Sequence, residues 1–448
     1  MIFVCREFNT CICKAADMVL SLSGGILGRF SCSLDTILYS AGEMTGIIMS
    51  LEQYQIPREK IIQLEHQLKT REIDTMVIIA REGSDPFLPF LIGSESIHPC
   101  AAFFCRNGHH IMIASPSDEK KYMESEIFAE VIAYGSSMWE KFVEVLDRLN
   151  PNKMALSISE EDGNADGLTL GQYKQLEKAI GKERLTKLEC SSEEICAELH
   201  SVKTETEVEC LRRCIQITND IYDEVFTRVR RGMTEKQIGD LFVEGMKSRG
   251  VINGLGSAYD YPIICIVRAG VSHRSPGNTV LEHGDIVIMD FSVLSEGYIS
   301  DIARTAYCLC PGETCPPPDV QHAFETAHAA ISATINYIGE GKKGYEVDAV
   351  GRKVIEDGGY PTVRHSVGHP IGRSCHDSGT RLGRLKPGAD NRSVERPIEL
   401  NEVYAIEPTV LQDGGLPCML VEENVVIREN GAEILSRRQN ALYLISAD

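Results

Sequence analysis

At 448 residues, with 43% hydrophobic and 25% charged side chains, the chain is too long for one compact core and has the balance of globular material. A formal net charge of −20 sets aside nucleic acid and anionic membrane as main partners. No uncharged apolar run approaches the roughly 20 residues that span a bilayer, and the sixteen cysteines are scattered with no Cys-x-x-Cys pair, the pattern of reduced thiols in a cytoplasmic protein.

Residues 1–46 hold four of those cysteines, few charges and no sustained period, which predicts a disordered extension. "MVLSLSGGILG" (18–28) has no basic segment ahead of it and is rich in Gly and Ser, so no signal peptide is expected. Its "GGILG" follows no strand and lacks a Lys-Ser/Thr, so it is no phosphate loop. Between 47 and 195, strand-like and helix-like segments alternate, as in an α/β domain. "DTMVIIA" and "KMALSIS" read as buried strands, and "AAFFCRNGHHIMIAS" as a hairpin turning at Asn107-Gly108, with His109 and His110 facing solvent. "SSMWEKFVEVLDRLN" and "LTLGQYKQLEKAIG" carry helical periods.

A second domain, 196–448, opens on a capping box, Thr204 with Glu207, followed by a helical stripe that stops near Gly232. Further helices are expected at "DVQHAFETAHAAISATINYIG", with Asp319 as N-cap, and at "GYEVDAVGRKVIEDGG". Strands and hairpins between and after them make this domain α+β.

Two hairpins carry an electrostatic puzzle. In "MDFSVLSEGYISDIART" (289–305), a turn centred between Ser295 and Glu296 sets Asp290 opposite Asp301 inside an apolar ladder, where like charges destabilise a sheet. In "VYAIEPTVLQDGGLPCMLVEENVVI" (403–427), the Gly414-Gly415 turn sets Glu407 opposite Glu422, with Pro408 and Pro417 making the pairing irregular. Taken alone, such pairs fit solvent faces or partners such as Arg304. Their recurrence favours cations, and two divalent ions match four acids. The third piece is "RHSVGHPIGRSCHDSG" (364–379), with His365, His369 and His376 in a Gly- and Pro-rich stretch. Those breakers exclude a helix, and with it a zinc site at i, i+4 or a His376-Asp377 phosphohydrolase dyad. An extended segment offering imidazole to an acidic cluster fits instead.

Together these residues resemble the pita-bread metallopeptidases, which include methionine aminopeptidase, Xaa-Pro aminopeptidase, Xaa-Pro dipeptidase and creatinase. The matching positions are Asp290 and Asp301, His369 in "GHPIG", Glu407 in "AIEP" and Glu422 in "VEEN". The resemblance spans about 195–448, and the preceding α/β region is similar to the N-terminal domain of the Xaa-Pro and creatinase branch. It implies a pita-bread catalytic domain behind a smaller creatinase-type domain. It also implies two divalent ions, with Asp290 on one, Asp301 and Glu422 bridging both, and His369 and Glu407 on the other. A water or hydroxide between the ions would attack the peptide, Glu407 would move its proton, and His376 would stabilise the tetrahedral intermediate. His273 and His365 match further pocket histidines that bind substrate or move protons.

"HDSG" (376–379) and the large N-terminal domain favour an Xaa-Pro peptidase over a methionine aminopeptidase. The latter, and a pita-bread binding module that does no chemistry, remain the alternatives. Several positions depart from the family: Pro370 for Gly, Ser292 for Gly, Thr409 for Gly, and Leu420 where an Arg is common. The resemblance further implies manganese, with cobalt or zinc as substitutes, small peptide substrates with a free N-terminus, and a homodimer.

Overall fold

The computed structural model describes residues 54–268, 273–412 and 417–447. The expected extension 1–46, the domain start at 47 and the Gly414-Gly415 turn lie outside these residues. The first layer is a mixed six-stranded sheet ordered β4-β3-β2-β1-β5-β6. Its strands are β1 (Thr75–Ala80), β2 (Cys100–Cys105), β3 (Ile111–Ala114), β4 (Glu130–Ala133), β5 (Met154–Leu156) and β6 (Glu189–Ser191). "TMVIIA" is buried throughout because both sheet faces are covered. Met76 and Ile78 pack beneath helices Gln55–Thr70 and Glu193–Ser201, while Val77 and Ile79 pack beneath Met138–Leu149 and Leu170–Ile180.

Two expectations change here. His110 does not face solvent: it is 2% exposed, accepts from the Cys105 amide at 3.1 Å and lies 3.3 Å from Glu65. The tight turn returns it over the sheet, and only His109 stays outside. The boundary at 195/196 falls inside helix Glu193–Ser201, whose Ile195, Cys196 and Leu199 belong to the first core.

The second domain is α+β with two four-stranded sheets. One is ordered β17-β12-β9-β8 and the other β13-β14-β15-β16, beside a small β11-β10-β7 sheet. The strands are β7 (Ile252–Asn253), β8 (Ile263–Val267), β9 (Ile286–Phe291), β10 (Val293–Ser295), β11 (Tyr298–Ile299), β12 (Ile302–Cys308), β13 (Gly368–Pro370), β14 (Val403–Ile406), β15 (Glu423–Arg428), β16 (Gly431–Ile434) and β17 (Tyr443–Ile445). Helices Glu205–Arg228 and Glu235–Arg249 cover one face of β9 through Val287, Met289 and Phe291. The other face, through Ile286 and Ile288, shares a core with helices Pro318–Tyr337 and Gly344–Asp357 and with Tyr404 and Val425 of the second sheet. Both faces of the sheets are thus covered by helices, the pita-bread arrangement. Helix Pro318–Tyr337 is capped by Pro317 rather than Asp319, because proline suits the first helical turn. No helix among the described residues is long and apolar enough to cross a membrane.

Buried charge joins the layers. The capping box at Thr204 forms as the sequence predicts, and its Glu207 also meets Lys60 at 2.6 Å and the Tyr298 hydroxyl at 2.9 Å. Lys60 further donates to the carbonyls of Leu199 and Val202. Both ends of the Lys60–Glu207 pair are buried, so removing one leaves an uncompensated charge. Lys60→Ala should therefore cost about 3–5 kcal/mol in urea unfolding, and a loss under 1 kcal/mol would contradict this role.

Candidate metal centre

The first hairpin turns one residue later than its sequence suggests. Glu296 and Gly297 both adopt positive φ, 53° and 79°, in a two-residue turn that pairs Ser295 with Tyr298. Asp290 consequently lies opposite Ala303, not Asp301. The shift is two residues along the ladder, so side-chain parity survives and both carboxylates stay on one face as diagonal neighbours. Ser292 takes the place opposite Asp301, and its hydroxyl donates to that carboxylate at 2.9 Å.

The second hairpin keeps its expected register. Ile406 pairs with Glu423, and a bridge joins Val410 to Met419, so Glu407 and Glu422 face each other across the proline-interrupted gap. This hairpin docks on the edge of β12. The Glu422 amide donates to the Ala303 carbonyl at 3.1 Å, and Thr305 Oγ1 donates to the Leu420 carbonyl at 2.6 Å. Arg304, expected as a possible partner of the acidic pairs, instead binds Glu423 and the carbonyls of Ala303, Glu422 and Arg437. Asn424, two residues from Glu422 and on the same strand face, exchanges hydrogen bonds with the backbone of Asp301. Its signal in the sequence is the strand period, which puts it on the same face as Glu422.

Extended β13 brings in the histidines. His369 pairs with Ala405, directs Nδ1 to the Pro370 carbonyl at 3.1 Å, and so aims Nε2 at Asp301, 3.4 Å away, with Glu407 at 4.0 Å. The His376 ring lies 4.4 Å from that of His369. His365 is 3.8 Å from Glu407, and His273 Nε2 is 3.1 Å from Asp290. All eight residues singled out by sequence line one cavity of about 360 Å³, with Leu255, Ile263, Leu411 and Leu420 as its apolar wall. Cys375, missed because a lone Cys among glycines carries no pattern, donates from Sγ to Asp301 at 2.9 Å.

The donor set fits hard divalent cations. Atoms of Asp301, His369 and Glu422 lie within 4.8 Å of one another, and all three residues are buried. The Glu422 carboxylate is 2% exposed and receives no hydrogen bond among the described residues. Burial, then the charges of Asp301, Glu407 and Asp290, hold it well above the usual carboxylate range. Burial also pushes Glu407 up to about 8. Burial opposes protonation of His369, but its bond to Asp301 together with the charges of Asp301 and Glu407 raises it to about 9. Such protons leave when a cation binds, so affinity should strengthen as pH rises towards the His369 value of about 9. Calorimetry of manganese binding at neutral pH should then give heats that differ between Tris and phosphate. Buffer-independent heats would contradict this.

A sheet-borne ring of carboxylates with one imidazole among them, set deep between helix pairs, could hold metal ions. Residues 209–429 match metallopeptidase family M24, and the chain carries a domain of that family. It is 24% identical over 319 residues to an uncharacterized peptidase of Bacillus subtilis, covering 70% of this chain and 82% of that protein. It is also 24% identical to the Xaa-Pro dipeptidase of Pyrococcus furiosus, over 56% of this chain and 67% of that one. The fold is similar to that of X-Pro aminopeptidase from Thermotoga maritima, with a TM-score of 0.63, 22% identity, and coverage of 86% of this chain and 99% of that one.

Proposed function

We propose that this metallopeptidase uses two divalent ions to remove the N-terminal residue from peptides with proline at the second position. The observation that carries the reading is Glu422, a buried carboxylate with no donor, facing three further acids. Asp290 would hold one ion, Asp301 and Glu422 both, and His369 and Glu407 the other. When bound, such ions act as Lewis acids on the scissile carbonyl and lower the pKa of water. Oxygen-rich ligands with one imidazole suit manganese, with cobalt or zinc as substitutes.

The chain's own groups handle the proton. As water adds to the carbonyl carbon and the C–N bond breaks, the proline nitrogen must gain a proton. Glu407, held near neutrality in its buried setting, is the group that takes a proton from water and passes it on. His376, whose pKa burial lowers, is a neutral N–H donor placed to stabilise charge on the carbonyl oxygen. His273 orients Asp290 through its 3.1 Å contact, and His365 borders both Glu407 and the substrate space. The substrates would be small peptides with a free N-terminus, handled by a cytoplasmic homodimer. The apolar wall of Leu255, Ile263, Leu411 and Leu420 favours one second reading, removal of an apolar N-terminal residue such as methionine.

With manganese, Ala-Pro-Ala should be cleaved and Met-Ala-Ser should not, with a chelator abolishing activity. The reverse preference would promote the methionine reading, and silence on both with metal bound would favour a binding module. Asp301→Asn should lower kcat/KM by about 10³-fold or more and reduce bound metal while circular dichroism is unchanged. Full metal and full activity in that variant would refute the assignment.

A further inference from the structure

The catalytic cavity contains no Lys or Arg among its described lining residues. Its charged lining is the four carboxylates and four histidines, and two divalent ions would cancel the carboxylates. The remaining surface is the apolar wall. A carboxylate carried into this space therefore meets no Lys or Arg among the described lining residues and loses its water, which is costly.

Beyond His365 the chemistry reverses. That imidazole also lines a second cleft, of about 90 Å³, with Arg364, Ser366, Arg381, Arg384 and Lys386. Among the described residues its single acidic lining residue, Asp390, is engaged by Arg392 at 2.8 Å. Arg381 is held in place by donating to Ser366 Oγ at 3.0 Å. Asn391 closes the loop that presents Lys386, accepting from its amide and donating to its carbonyl. Arg384 and Lys386 have no ion-pair partner among the described residues. In a chain of net charge −20, such a basic cluster beside the catalytic cavity is not explained by average surface composition.

We infer that the site selects substrates by length: the cleft formed by Arg381, Arg384 and Lys386 holds the terminal carboxylate of a tripeptide or longer peptide, while a dipeptide's carboxylate is left in a cavity whose described lining has no Lys or Arg. One further extended residue, a rise of about 3.4 Å, advances the terminus from the metal cavity towards the cleft that His365 also lines. This deepens the proline-peptide reading and rests on it.

The test compares four substrates with the manganese-loaded protein at low ionic strength: Ala-Pro, Ala-Pro-amide, Ala-Pro-Ala and Ala-Pro-Ala-amide. For the shorter pair the amide should exceed the free acid by about tenfold in kcat/KM. For the longer pair the preference should invert, the free acid leading by about threefold and less so in added salt. Arg384→Glu with Lys386→Glu should erase the longer pair's preference. The same variant should weaken binding of the product Pro-Ala, measured by calorimetry, by about tenfold. The same sign in both pairs, or a tripeptide preference that survives the double variant, would overturn the length rule alone. Cleavage of none of the four would overturn the proline-peptide reading and the length rule with it.

Discussion

The centre depends on Arg304. Its guanidinium is buried between the two hairpins, donates to carbonyls from three segments and meets Glu423 at 3.3 Å. Burying a guanidinium costs several kcal/mol unless its donors are satisfied, and here that satisfaction ties β12 to the segment carrying Glu422. Asp301 and Glu422, far apart in sequence, are thereby fixed within ligand distance of one another. Arg304 spends its charge on Glu423 and the backbone. The carboxylates that face the cavity are left to protons or metal ions.

A second set of buried charges reaches the same loop from the N-terminal layer. Lys203 lies 3.0 Å and His200 3.4 Å from Asp377, and the Asp377 amide donates to the Pro370 carbonyl. Burial opposes ionisation of Asp377, but the charges and hydrogen bonds of Lys203 and His200 together hold it well below the usual carboxylate range. Stability from this pair is present above the ordinary carboxylate pKa and is lost as pH falls through the depressed value. His376 adjoins this anchor. The first domain therefore reaches the chemistry through a loop position, although none of its described residues lines the cavity.

What the sequence made legible follows physical period and spacing. The second hairpin's register was readable from Gly414-Gly415, because the pairs on either side of it obey one sum along the chain. The first hairpin was misplaced by one position, since a Ser-Glu-Gly turn does not reveal which two residues take positive φ. Ligand types survived that error because β parity repeats every second residue. His110 and Cys375 were harder for another reason. Burial of a turn-flanking His, or a thiol placed against a carboxylate, arises from contacts distant in sequence that no local pattern records.

The same crowding explains why Leu420 is tolerable at this centre. It is 5% exposed, packs in the main core and passes its carbonyl to Thr305. An apolar residue there confines substrate contact on this wall to the hydrophobic effect. Recognition of charge must then come from outside the metal cavity, and the His365 ring marks the point where the two environments meet.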